Sequence, residues 1–393
     1  MPTIAYLTDV EGRWDKLASF TEANPHVSLA NGSLRLADGA TFVFGGDAID
    51  RGPHGRRIVA LLLAARRDYG DRVVLLAGNR DINKLRLARE LDGEPPAHAP
   101  PDVRAGSRAG LLRWILAHTM GAKEAFAHRA AELAAEGRGA EDEDVVRSYL
   151  DDLAPGGALR AYLGCCGLGF RAGTTLFLHG GITIENFGLV PGRERRLPDA
   201  DSWLGELNQF YAREIDGFIA GRAPSALIAY QAPLAGTRFN QESVIYARPT
   251  DEIANPCLPD EQVIARLRAS GVGRLVVGHT PSGDCPAIVR AGDFELVLAD
   301  NSYGRVETGS QVAITDDATS VESITQLDDG TVHPVRFTSR RDDRSPLGQR
   351  VAGTGQLVKA RLATGNYLLF RGLPQYRVEQ VAASAAELAG RLA

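Results

Sequence analysis

The sequence is poor in sulfur, in long apolar runs and in blocks of like charge. Four cysteines in 393 residues, two of them adjacent at Cys165 and Cys166, do not make a disulfide framework. Free thiols in a reducing compartment are therefore expected. No window approaches about 18 uninterrupted apolar residues. The opening "MPTIAYLTDVEG" has no charged-then-apolar leader, so a cytoplasmic chain without membrane contact is expected. Net charge is −5, with Lys and Arg scattered along the length, which excludes a basic stripe for a nucleic-acid polymer. There is no internal repeat and no long low-complexity tract.

What remains is an ordinary globular composition, 44% hydrophobic and 24% charged, long enough for one large domain plus an appendage, or for two domains. Six short apolar runs each open into a polar loop: "TIAYLTDVEG", "ATFVFGGDAIDRG", "RVVLLAGNRD", "TTLFLHGGIT", "GRLVVGHTPSG" and "FELVLADNSYG". Runs of this length bounded by Gly, Asp or Asn predict buried strands of an α/β domain. Ligands of such domains gather beyond the strand ends. The expected fold is a layered β-sandwich flanked by helices.

Between the third and fourth runs, about residues 85–162, the chain is rich in Ala, Leu, Arg and Glu. In "AGLLRWILAHTM" the residues Leu111, Leu112, Ile115 and Leu116 recur at helical spacing. This stretch predicts a helical insertion within a domain spanning 1–304, placed either over the site or on the scaffold's edge. Residues 305–393 predict a C-terminal α+β extension, with a hairpin around Thr364 to Asn366 and a final Ala-rich helix.

The polar residues at the strand ends are Asp9 and Glu11; Asp47, Asp50 and Arg51; Asn79, Arg80 and Asp81; His179; His279; and Asp300. Carboxylates, an amide and two imidazoles are a ligand set for a pair of divalent ions. Each motif by itself is weak, because a His before Gly-Gly is more often a turn residue and an isolated Asp-x-Glu a solvated face. Their order, with every one at a strand terminus, carries the reading.

The series resembles the calcineurin-like metallophosphoesterases, and within them the phosphoprotein-phosphatase and diadenosine tetraphosphatase branch. "GGDAIDRGP" matches Gly-Asp-x-x-Asp-Arg-Gly, "GNRD" the Gly-Asn-His-Asp/Glu motif, and "HGG" and "GHTP" the two later histidine motifs. The resemblance implies Asp9 on a first metal, Asp47 bridging, and Asn79, His179 and His279 on a second. It further implies a hydroxide between the ions as nucleophile and Arg51 and Arg248 on the phosphoryl oxygens. Two divalent ions are the implied cofactors, with Mn²⁺ foremost and Mg²⁺, Fe or Zn²⁺ as alternatives.

Two positions depart from that pattern. Glu11 stands where the first motif has histidine, giving an all-oxygen first site suited to harder ions and an activity optimum displaced to alkaline pH. Arg80 stands where the family has a histidine that protonates the departing oxygen; a guanidinium cannot give up a proton at neutral pH. Pairing of Arg80 with Asp50 is expected, a fixed charge replacing a proton donor. The leaving group is then either stable as an anion or protonated elsewhere, His54 being the nearest histidine in sequence. Asn83 and Lys84 are candidates for contact with the non-transferred part of an anionic substrate, and Asp300 for orienting a ligand.

The expected function is hydrolysis of a phosphomonoester of a small metabolite or nucleotide. The alternatives are a dinucleoside polyphosphate hydrolase, a Ser/Thr protein phosphatase and a metal-binding pseudoenzyme.

Overall fold

In the computed structural model the described residues are 3–306, 308–341, 344–374 and 377–392. The parallel strands that precede the site loops are four or five residues long and largely buried, which is why the sequence shows unbroken apolar runs there. Among the described residues, seven strands form the larger sheet. Its parallel part runs Ile4–Leu7, Thr41–Phe44, Val73–Leu76 and Cys166–Gly167. On the other side of Ile4–Leu7 come Gln311–Ile314, Ala318–Gln326 and Val332–Arg340, all antiparallel.

A second, five-stranded sheet has Thr175–Leu178, Arg274–Val277 and Phe294–Leu298 parallel at its centre, with Gly169–Ala172 and Ala287–Ala291 as antiparallel edges. Alternate residues of the central strands divide between two cores. Ile4, Tyr6, Val43, Leu76, Phe177, Val276 and Val297 share one cluster. Their neighbours Ala5, Leu7, Phe42, Phe44, Leu75, Leu176 and Leu275 share the other with the helices. The Tyr6 and Phe177 rings, 5.6 Å apart, join strands of the two sheets. Period-two alternation thus gives a face-to-face sandwich with helices outside, the layered arrangement expected from sequence.

Helices fill residues 87–164, among them Arg108–Thr119, which buries Leu111, Leu112, Ile115 and Leu116. The hairpin around Thr364 to Asn366 joins Leu357–Arg361 to Tyr367–Leu373 in a third sheet completed by Arg377–Ala383. The last of these strands corrects an expectation. The Ala-rich tail is a strand followed by one helical turn, Ala385–Leu388, because Gln380 and Ala383 are buried by pairing with the hairpin. Tertiary pairing overrides the helix propensity of alanine. Three of the strands beyond residue 304 belong to the larger sheet and three to the third. No helix among the described residues is long and apolar enough to cross a membrane.

Candidate metal centre

Asp9, Asp47, Asn79, His179, His279 and Asp300 all follow the carboxyl ends of parallel strands, so the two central sheets deliver them to one rim of the sandwich. The backbone there is under strain. Of eight non-glycine residues with positive φ among those described, six are Asp9, Glu11, Asp47, Asp50, His279 and Tyr303. Left-handed conformations cost about 1–3 kcal/mol each and persist where the surroundings over-determine them.

The motif glycines explain how the loops approach. A Cβ on Gly78 would collide with the Asp47 carboxylate, and one on Gly278 with Thr8 and Asp9. Asp81 then fastens two loops together, accepting the backbone N–H groups of Asp47 at 2.9 Å, Ala48 at 2.9 Å and Gly78 at 3.0 Å.

Among the described residues, the ligand atoms of Asp47, His179 and His279 lie within 4.8 Å of one another. The amide of Asn79 joins them, its Oδ1 3.2 Å from His179 Nε2. His179 Nδ1 donates to the Gly45 carbonyl at 2.8 Å. That bond fixes the tautomer and turns the Nε2 lone pair toward Asp47. His279 Nε2 is buried with no hydrogen-bond partner among the described residues, an orphan that a cation would satisfy. Burial, followed by the charge of Arg248, holds His279 well below the usual histidine range, so it is a neutral ligand at pH 7.

Burial also raises the carboxyls of Asp9, Asp47 and Asp300 above their ordinary range; Asp300 adds to the shift of Asp9, and Asp81 to that of Asp47. Buried acids with imidazoles and no cation are a set that fits a divalent ion.

The structure separates the remaining candidates. Glu11 lines the cavity with its oxygens on guanidinium groups: Oε1 is 2.7 Å from Arg80 Nε and Oε2 is 3.0 Å from Arg51 NH1. The expected Arg80–Asp50 pair is long, 3.9 Å, because Lys84 Nζ has taken Asp50 Oδ2 at 2.7 Å. Lys84 is fully buried against Asp50 and is not among the residues that line the cavity. Asn83 lines the cavity, with its Oδ1 accepting from Arg86.

Arg51 is stacked 3.7 Å from the Tyr303 ring centroid and paired with Glu11, two residues that line the cavity. His54 is edge-on to Trp14 in a separate surface depression. Arg248 does line the cavity, and its buried Nε has no partner among the described residues.

Residues that sequence reasoning missed are Lys16, buried with Nζ 2.7 Å from the Asp9 carbonyl, and two tyrosines. The Tyr303 hydroxyl accepts from Arg80 at 3.1 Å, and the Tyr246 ring is 5.1 Å from His279. "ADNSYG" was legible as a strand-end loop, yet nothing local marks Tyr303, itself largely exposed, as the residue whose hydroxyl meets Arg80.

The centre opens into a cavity of about 790 Å³. The helical segment contributes residues 117–121 to its wall, the 231–239 loop adds Arg238 and Phe239, and the third sheet adds Phe370 and Arg377.

A family model described as calcineurin-like phosphoesterase matches residues 2–283. Two solved structures show how far the likeness extends. A cold-active protein-tyrosine phosphatase of a psychrophilic Shewanella species is 16% identical over 85% of this chain and 80% of that chain, with a TM-score of 0.47. A protein serine/threonine phosphatase from Saccharomyces cerevisiae, with similarity to human phosphatase PP5, is 12% identical over 86% of this chain and 79% of that chain, with a TM-score of 0.36. No curated protein matches the chain.

Proposed function

From the premise that this chain belongs to the calcineurin-like phosphoesterases and is a metal-dependent phosphoester hydrolase, we propose that its substrate is a phosphomonoester of a small metabolite or a nucleotide. The observation that carries the reading is where the ligand cluster lies. Asp47, Asn79 and His279 line a cavity of about 790 Å³ with His179 against them, a space sized for a small molecule. A folded protein's serine or threonine would have to reach past the 231–239 loop and the third sheet.

When bound, a divalent cation supplies positive charge to a phosphoryl oxygen and acidifies water. The chain's own residues supply the rest. Arg248 projects donors into the cavity, and a planar guanidinium matches two phosphoryl oxygens at once. Arg80, kept charged in a buried position by Glu11 and Asp47, offers a fixed positive charge to negative charge developing on the leaving oxygen. Phe239 and Phe370 give the non-transferred part an apolar wall.

A second reading, cleavage of a dinucleoside polyphosphate, is favoured by Arg80 itself, since an anhydride's leaving group departs without needing a proton. A phosphate-release screen over sugar phosphates, nucleotides and dinucleotides with Mn²⁺, Mg²⁺ and Zn²⁺ tests both. Inorganic phosphate from a monoester supports the first reading, and paired nucleotide products support the second. Bound metal without turnover on any member of the panel would sink both.

A further inference from the structure

The Asp47 carboxylate faces two different partners. Its Oδ1 is 3.5 Å from His179 Nε2, on the side of the ligand cluster, while Oδ2 is 3.5 Å from Arg80 Nε. The sequence resemblance implies a cation on each side of this carboxylate. In this chain one side has a guanidinium.

We propose that the centre holds one divalent cation, bound by Asp47, Asn79, His179 and His279, and that the Arg80 guanidinium stands in for the second. The inference rests on the metal-dependent reading above and specifies its stoichiometry.

Three observations support it. First, the side of Asp47 away from the histidines lacks free ligands. Glu11 has one oxygen on Arg80 and the other on Arg51. Asp9 already accepts from Thr8 Oγ1 at 2.6 Å and from the His279 backbone N–H at 3.1 and 3.2 Å. Among the described residues Asp9 and Glu11 do not fall in any cluster of three ligand atoms within 4.8 Å.

Second, Arg80 is held in a buried ion pair. Its side chain is 11% exposed, with Nε on Glu11 and NH2 donating to the Tyr303 hydroxyl, so moving it aside for an ion would break a buried ion pair.

Third, the charges balance with a single ion. Around the centre six carboxylates, from Asp9, Glu11, Asp47, Asp50, Asp81 and Asp300, meet four side-chain cations, from Lys16, Arg51, Arg80 and Lys84. Fully ionised, they leave two negative charges, the charge of one divalent ion. Arg248 remains for the phosphoryl group.

The two departures from the motif pattern therefore act as one unit. Glutamate at position 11 fixes arginine at position 80, and the arginine places a single positive charge where the resemblance implies a divalent cation.

The test is metal content, read without reference to activity. The purified chain is equilibrated with excess Mn²⁺, freed of loose metal and analysed by elemental mass spectrometry. The same is done for the double variant Glu11→His/Arg80→His, which restores both imidazoles. One Mn²⁺ per wild-type chain and two per double-variant chain is the expected result. Two per wild-type chain would overturn the inference while leaving the metal-dependent reading intact; none would remove that reading itself. One in both proteins would show that Arg80 and Glu11 are not what excludes the second ion. Should the double variant fail to fold, the paramagnetic resonance spectrum of Mn²⁺-saturated wild type decides alone. An isolated-ion hyperfine pattern is expected, and an exchange-coupled pair spectrum would sink the proposal.

Discussion

Lys84 Nζ stands 2.7 Å from Asp50 Oδ2, with both side chains buried beneath the candidate metal centre. Asp50 belongs to the loop after one central strand and Lys84 follows the loop after the next, so this pair ties together the loops that carry Asp47 and Asn79. Burial lowers the Lys84 pKa, and the neighbouring Asp50 offsets part of that shift.

Replacing Lys84 by Met leaves the buried Asp50 charge with only the long 3.9 Å contact to Arg80, and a loss of about 3 kcal/mol is expected. Adding Asp50→Asn to that variant should recover a substantial part, because the orphaned charge is gone. Urea unfolding of the three variants and wild type measures this. Equal stability of Lys84→Met and wild type would show that the pair does not hold the loops.

Glu11 and Arg80 are predicted to be coupled in the same way. Glu11→Gln and Arg80→Met should each destabilise the chain, and the double substitution should cost less than the sum by more than about 1 kcal/mol. A double-mutant cycle in thermal or urea unfolding gives the coupling directly. Strict additivity would mean that the 2.7 Å contact contributes nothing in solution.

Asp284, five residues after His279, is a junction between the site loop and the later strands. Its carboxylate accepts from the Gln326 N–H at 2.8 Å, Gln380 Nε2 at 3.0 Å, the Val306 N–H at 3.1 Å and Thr325 Oγ1 at 3.2 Å. Burial works against the charge, but these donors outweigh it and hold the carboxyl below its usual range. Asp284→Ala strands several donors at roughly 1–3 kcal/mol each. The expected outcome is a loss of at least about 3 kcal/mol together with weaker Mn²⁺ binding, as the His279 loop loses its anchor. Calorimetric titration with Mn²⁺ checks the second part, and an unchanged dissociation constant would confine Asp284 to a structural role.

The buried acids give a pH prediction with a definite sign. A carboxyl whose pKa is raised in the fold binds its proton more tightly there than in the unfolded chain, where the value is about 3.9. Its contribution to stability is complete below that value and is lost as pH rises through the folded value. With Asp9, Asp47 and Asp300 all raised, metal-free protein should melt at higher temperature near pH about 5 than near pH about 7. Saturating Mn²⁺ should reverse the order, because the ion competes with protons for ionised ligands. Melting curves at both pH values, with and without metal, test this. Identical metal-free curves would contradict it.

The ligand-bearing loops were legible in the sequence because each is a local event. A short apolar run makes a buried strand, a Gly-Asp or Gly-Asn pair makes the turn, and the polar residue follows within a few positions. "GGDAIDRG", "GNRD", "HGG" and "GHTP" therefore mark strand ends by themselves. Helical spacing identified Arg108–Thr119 for the same reason. The tail beyond Tyr376 was misread as helix because alanine content is a weak local preference, and pairing with Tyr367–Leu373 outweighed it.

Which charge meets which was decided only in three dimensions. The sequence offered Arg80 to Asp50, but Lys84 reaches that carboxylate first and Arg80 turns to Glu11 and Asp47. It offered Arg51 to a phosphoryl group, but the ring of Tyr303 takes its face. Residue types and strand ends are set by local backbone preferences and apolar periodicity, which a sequence carries in full. Ion-pair partners are chosen by a competition among every charge that folding brings within a few ångströms, and distances at that scale exist only after the two sheets have packed.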